Sequence, residues 1–255
     1  MIGGDRAAAL TAALLLVVAA AAWAQLLLAP MAMDDMGGAA MVMAPTISDG
    51  ATYVAAWAVM MAAMMLPSAL PMIGLYAATQ RNTPGRVARV AAVVSFALVY
   101  LALWAATGVP IYFASLGLMA ITPRTLAYVT AAVLVAAGVY QVSPLKGVCL
   151  RHCRSPLGFL LGRWRAGWRG GLAMGAEHAL YCLGCCWALM LVLVVAGAMG
   201  LPWVLAIAAV VAAEKLLPAG EWFARATGVI LVVLGAAVAA RPDFAVALRA
   251  AGHNM

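Results

Sequence analysis

Three cysteines and a histidine, His178, Cys182, Cys185 and Cys186, fall within an otherwise oily segment, GGLAMGAEHALYCLGCCWALM at residues 170–190. On a helix, residues three and four apart share a face, so His178, Cys182 and Cys185 form one stripe with Cys186 on its flank. Thiolates and thioethers are soft donors that select Cu(I), and less often zinc or iron–sulfur clusters, over hard cations. The pattern therefore points to copper, with zinc the weaker alternative. Gly171 and Gly175 lie on the same stripe, where a neighbouring backbone can approach closely. The plainer account of the thiols is packing, because cysteine behaves as a small hydrophobe at helix contacts.

Further sulfur donors occur in three other places. Met60, Met61, Met64 and Met65 crowd into VMMAAMMLPSALP, with Trp57, Met61, Met64 and Ser68 on one helical stripe. Membrane packing accounts for such methionines equally well, since Met fills irregular gaps. Cys149 and Cys153 stand one helical turn apart in CLRHC and could offer a metal two thiols, or remain a reduced, solvent-facing pair. Met31, Met33, Met36, Met41 and Met43 accompany Asp34, Asp35 and Asp49 in a stretch without lysine or arginine. In composition that stretch is similar to extracytoplasmic copper-gathering segments, and also to a disordered low-complexity loop.

Glu177, Glu214 and Lys215 are ionisable residues inside apolar runs, a costly placement that points to function. The two acids fall at similar depths, and Lys215 is the expected partner for one of them. A structural ion pair near the interface, with Lys215 snorkelling, is the alternative. Lys215 could also offset the negative charge of thiolates gathered around a monovalent ion.

The elements that must position these groups are membrane helices. With 67% hydrophobic and 9% charged residues in 255, an ordinary soluble domain is excluded. The expected fold is all-α, a polytopic transmembrane helical bundle of about seven spans: 7–29, 53–79, 90–113, 126–142, 170–198, 201–217 and a core at 227–240. The first could instead be a cleaved signal peptide, but its length favours a retained helix. Residues 1–52 hold the first span and the Met/Asp-rich segment, 53–240 form the metal-binding membrane domain, and 241–255 are a short tail.

The net charge of +7 does not imply nucleic acid, because the basic residues sit in short connectors. Five cysteines, an odd number in segments expected to lie in or inside the membrane, argue against a secreted disulfide framework. An amino terminus in the cytoplasm puts all but Arg124, Arg241 and Arg249 of the 15 lysines and arginines on that side. Residues 30–52 are then extracytoplasmic, and the expected home is a bacterial cytoplasmic membrane. Entering from the cytoplasm near Gly171, Cys182–Cys186 would lie roughly 16–22 Å deep, and Met60–Met65 roughly 10–18 Å below the outer edge. The two sulfur groups would share a level.

Four blocks, VMMAAMMLPSALP, GVYQVSPLKGVCLRHCRSP, CLGCCWALM and EKLLPAGE, carry a family resemblance over about residues 53–240. The chain resembles the predicted metal-binding integral membrane proteins of domain-of-unknown-function family 2182. That resemblance implies a multi-pass bacterial membrane protein that binds metal, and supplies no substrate.

The leading expectation is a protein that handles Cu(I) by uptake, relay or delivery, with the bilayer around it. A copper chaperone or membrane copper enzyme would be its partner. No nucleotide-binding loop is recognisable, so no ATP-driven step is expected, and a non-enzymatic role is favoured. Two alternatives stand: a membrane thiol-disulfide oxidoreductase using Cys182–Cys185 as a CxxC pair, and a structural or assembly subunit with glycine faces as contacts. Haem is disfavoured, because only His178 lies within a span.

Overall fold

The computed structural model describes residues 3–28, 46–80, 83–197 and 200–253, with side chains described for 10–28, 46–80, 83–197 and 200–249. Met31, Met33, Met36, Met41 and Met43 lie outside the described residues. The described residues form helices and no strand, as expected. They are α1 (Gly3–Leu28), α2 (Ile47–Thr79), α3 (Arg86–Ala106), α4 (Gly108–Met119), α5 (Pro123–Gln141) and α6 (Pro144–Arg154). After them come α7 (Pro156–Arg163), α8 (Gly167–Gly197), α9 (Leu201–Leu216), α10 (Gly220–Ala240) and α11 (Asp243–His253).

Local chemistry sets many of the boundaries. Thr46 caps α2 in a reciprocal box with Asp49, and Thr122 and Ser143 accept from the backbone at the starts of α5 and α6. Proline opens α5, α6 and α7, where its missing N–H costs nothing. Pro67 and Pro71 lie inside α2 without ending it.

Among the described residues, six stretches are long and apolar enough to cross a membrane: Leu10–Leu28, Ile47–Thr79, Arg86–Met119, Pro123–Gln141, Gly167–Gly197 and Gly220–Ala240. The seventh expected span, at 201–217, forms α9, a helix of 16 residues. At 1.5 Å per residue it reaches about 24 Å, less than a hydrocarbon core of about 30 Å. Pro202 in its first turn and Pro218 just beyond its end limit it. The third expected span continues to Met119 and is interrupted at Thr107, whose hydroxyl accepts from Trp57 Nε1 at 3.0 Å.

The bundle packs α3 on α8, α5 on α10, α1 on α2 and α2 on α3, with α6 lying on α8. α1 touches the rest through Leu15, Ala19, Ala22 and Leu26, a stripe of three- and four-residue steps. The α3–α8 crossing is close because Gly175 has no side chain. A Cβ there would come 2.5 Å from the Phe96 carbonyl oxygen, so the expected approach at this stripe is found.

Candidate metal centre

The cysteine turn of α8 lies near the middle of a 31-residue helix that is itself longer than a hydrocarbon core is thick. Cys182, Cys185 and Cys186 are all buried. Cys185 and Cys186 place their sulfurs 3.4 Å apart, and the Cys185 thiol donates to the Cys182 carbonyl at 3.2 Å. All five cysteines are free thiols.

A second helix completes the group. The amphipathic α6 buries Lys146 and Leu150 and brings Cys153 Sγ to 3.8 Å from Cys185 Sγ. The neighbouring Cys182 first, and burial after it, hold the Cys153 thiol well above the ordinary thiol range. Cys149, one turn earlier, rests on Gly184, where an added Cβ would stand 2.7 Å from its sulfur. Burial pushes the Cys149 thiol up as well. Of the CLRHC pair, Cys153 therefore faces the α8 thiols, while Cys149 packs beside Gly184 of α8.

Two polar contacts enclose Cys182. Lys215 Nζ of α9 donates to Cys182 Sγ at 2.9 Å and to Ser68 Oγ of α2 at 3.4 Å. Tyr100 OH of α3 lies 3.1 Å from the same sulfur and 3.5 Å from the Met65 carbonyl oxygen. Met65 and Ser68 thus stand at the level of Cys182, linked to it by Tyr100 and Lys215. Met60, Met61, Met64 and Met65 are each buried inside the bundle.

His178, one turn before Cys182, is buried in an aromatic cage. Its ring lies 5.5 Å from Tyr100, 5.9 Å from Phe96 and 6.0 Å from Phe159, and its Nδ1 has no hydrogen-bond partner. Among the described residues, no group of three or more His, Cys, Asp or Glu side chains is arranged to hold a metal ion. The thiols touch in pairs.

Lys215 does not pair with either acid, contrary to expectation, nor does it snorkel. Glu214 is held instead by Lys146 Nζ at 2.6 Å, and Gln141 Nε2 donates to its other oxygen at 2.8 Å. Lys146 also donates to Gln141 Oε1. Glu177 pairs with Arg163 of α7 at a partly exposed rim. Adjacent residues on a helix point about 100° apart, so Glu214 and Lys215 serve different neighbours.

The expected depth of the thiols also needs correction. Tyr140 OH donates to the Gly184 carbonyl at 2.5 Å, and Gln141 meets Glu214. The ends of α5 and α9 therefore sit level with the cysteines, and residues 167–181 of α8 run on past them. α6 and α7 fill that space: His152 stacks on Tyr181 at 4.2 Å, and Phe159 meets His178 and Tyr181. A depth counted from the start of α8 overstates the distance to the face where α5 and α9 end.

Sequence reasoning placed Ser68 on the methionine stripe but missed Tyr100, Gln141 and Lys146 as neighbours of the site. Gln141 and Lys146 had a signal, since both fall in the YQVSPLK block; Tyr100 had none beyond its place in an apolar run.

A family model described as PpoB2, copper chaperone, matches residues 54–238 of the chain. That stretch nearly coincides with the residues carrying the sequence resemblance, but it bears the PpoB2 designation rather than the domain-of-unknown-function one. No curated protein matches the chain, and no solved structure does.

Proposed function

The chain belongs to the PpoB2 copper chaperone family, and we propose that it does this work within a bacterial cytoplasmic membrane. It holds Cu(I) on the thiols of Cys182, Cys185, Cys186 and Cys153 and delivers it to a membrane copper enzyme or a second chaperone. One observation carries the reading: thiols from two helices are packed in contact inside the bundle, at 3.4 and 3.8 Å, beside a buried ammonium group. Thiolates prefer Cu(I), and Lys215 offsets part of their charge in a medium where unpaired charge is costly. Zinc is the weaker fit, because it wants four ligands around one point.

The other donors take places around this centre. The unpartnered Nδ1 of His178 is a borderline donor one turn from Cys182. Met60, Met61, Met64 and Met65 are neutral thioethers on α2, which is linked to the thiol level through Met65 and Ser68, so they suit passage of the ion towards the thiols. Met31, Met33, Met36, Met41 and Met43 gather copper outside, with the amino terminus in the cytoplasm and residues 30–52 extracytoplasmic. Cys149 is a further thiol at the α6–α8 contact, available to an ion leaving the centre. Glu214 and Glu177 are already paired, so they hold structure rather than metal.

Copper analysis of the detergent-purified protein beside a Cys182/Cys185/Cys186→Ser variant tests this. The intact chain retains copper through washing and the variant loses nearly all of it. Equal copper in both ends the proposal. The oxidoreductase reading has one observation in its favour, the 3.8 Å approach of Cys153 to Cys185 across two helices. It requires that pair to cycle between thiols and disulfide in membranes, which thiol trapping reads directly.

A further inference from the structure

Cys185 touches two other thiols. Cys186 Sγ is 3.4 Å from Cys185 Sγ, which is 3.8 Å from Cys153 Sγ. Cys185 is thus shared between two pairs. A thiolate retains enough lone pairs to bridge two ions. At a metal–thiolate distance of about 2.3 Å, as for zinc, a trigonal ion spaces its sulfurs about 4 Å apart. The observed separations need to open only by tenths of an ångström.

We propose that the centre takes two Cu(I) ions bridged by Cys185, one on the Cys186 side and one on the side of Cys153 and Cys182. This rests on the reading that these thiols bind Cu(I), and it adds the nuclearity and the bridging residue. Loading two Cu+ ions onto four thiols releases four protons, one from each sulfur, and moves no electron. The four thiolates and two ions carry two negative charges, the same residual charge as one ion on three thiolates. Lys215, at 2.9 Å from Cys182, offsets one of them. Lys146 is engaged by Glu214 and offers no further compensation.

The two walls of the site have different origins. Cys182, Cys185 and Cys186 share the rigid α8, whereas Cys153 arrives on α6, a helix of 11 residues. The second ion therefore depends on α6 staying seated on α8, and the buried Lys146–Glu214–Gln141 contacts keep it there.

The test titrates the full-length protein in detergent with Cu(I), anaerobically, against excess bicinchoninate, which strips sites built from thioethers alone. X-ray absorption then reads the loaded protein. Two retained equivalents per chain and a Cu–Cu scattering shell are expected. Cys153→Ser lowers the stoichiometry from two to one and removes the shell. The shell is read on the unmodified chain, so a variant that fails to fold does not decide the matter. One retained equivalent without a Cu–Cu shell overturns the bridged pair and leaves copper binding intact. No retained copper overturns both.

Discussion

The two sulfur-rich turns of the bundle are built to opposite rules. Around Cys182–Cys186 every thiol has a polar or thiol neighbour: Lys215 and Tyr100 at Cys182, Cys153 and the Cys182 carbonyl at Cys185, and Cys185 at Cys186. Around Met60–Met65 the side chains are equally buried, yet the recorded polar contacts there run to the Met65 backbone carbonyl, from Tyr100 and Ser68. The difference follows from charge. A thiolate that takes Cu(I) needs its negative charge balanced in a low-dielectric interior, whereas a thioether is neutral before and after. The first turn has the chemistry to retain an ion and the second to let one pass.

The contrast breaks most severely if the scaffold under the thiols is removed. Glu214→Gln leaves Lys146 as a buried cation without its carboxylate, a loss of about 3–5 kcal/mol. Chemical denaturation of the apo protein in detergent should show that drop. Labelling of Cys153 by a membrane-permeant maleimide should rise at the same time, as α6 lifts from α8. Unchanged stability would mean that the Lys146–Glu214 pair does not seat α6.

Lys215→Met separates charge balance from packing. Replacing a buried cation with an apolar chain of similar length is often neutral or stabilising in an apo protein. The copper-loaded form, however, loses the ammonium at 2.9 Å from Cys182. The expected result is an unchanged or higher apo stability with Cu(I) affinity down about tenfold, or about 1.4 kcal/mol, by competition titration. Affinity that survives intact would place the balancing charge elsewhere.

A smaller effect is expected at the second turn. Met60, Met61, Met64 and Met65 replaced together by Leu keep volume and apolarity, at less than about 1.5 kcal/mol per site. Equilibrium copper content should then match the unmodified chain, while loading of vesicle-embedded protein from the outside slows. Loss of equilibrium copper would move these thioethers into the binding centre itself.

The sequence carried the helices and the two sulfur turns because both are local: apolar run length gives the first, and three- and four-residue spacing the second. The close α3–α8 approach was legible for the same reason, in Gly171 and Gly175 on the cysteine stripe. What it could not carry was pairing between helices. Lys215 and Glu214 are neighbours in the chain, and proximity made them look like partners, but helical geometry turns them towards different walls. Cys153 looked like half of an exposed pair because α6 reads as a basic connector, Lys146 and Arg151 included. Only the packing of α6 against its neighbours buries Lys146, beside Glu214 of α9 and Gln141 of α5, and turns Cys153 towards α8. The depth estimate failed on a related point, since α8 extends well beyond the ends of α5 and α9.

The least effect should come from Glu177, and that makes it the sharpest control for Glu214. Both acids sit in apolar helices, and each holds a basic residue from the α6–α7 segment. Lys146 and Glu214 are each about 1% exposed, whereas the Arg163 and Glu177 side chains remain 45% and 30% exposed. Water and headgroups can therefore solvate either partner of the rim pair once the other is gone, and exposed pairs contribute about 0–1 kcal/mol. Glu177→Gln should shift the denaturation midpoint only slightly and leave copper content unchanged, although it adjoins His178. A loss comparable to that of Glu214→Gln would show that the rim pair closes the site at its α7 side, and that α7 as well as α6 holds the thiols in place.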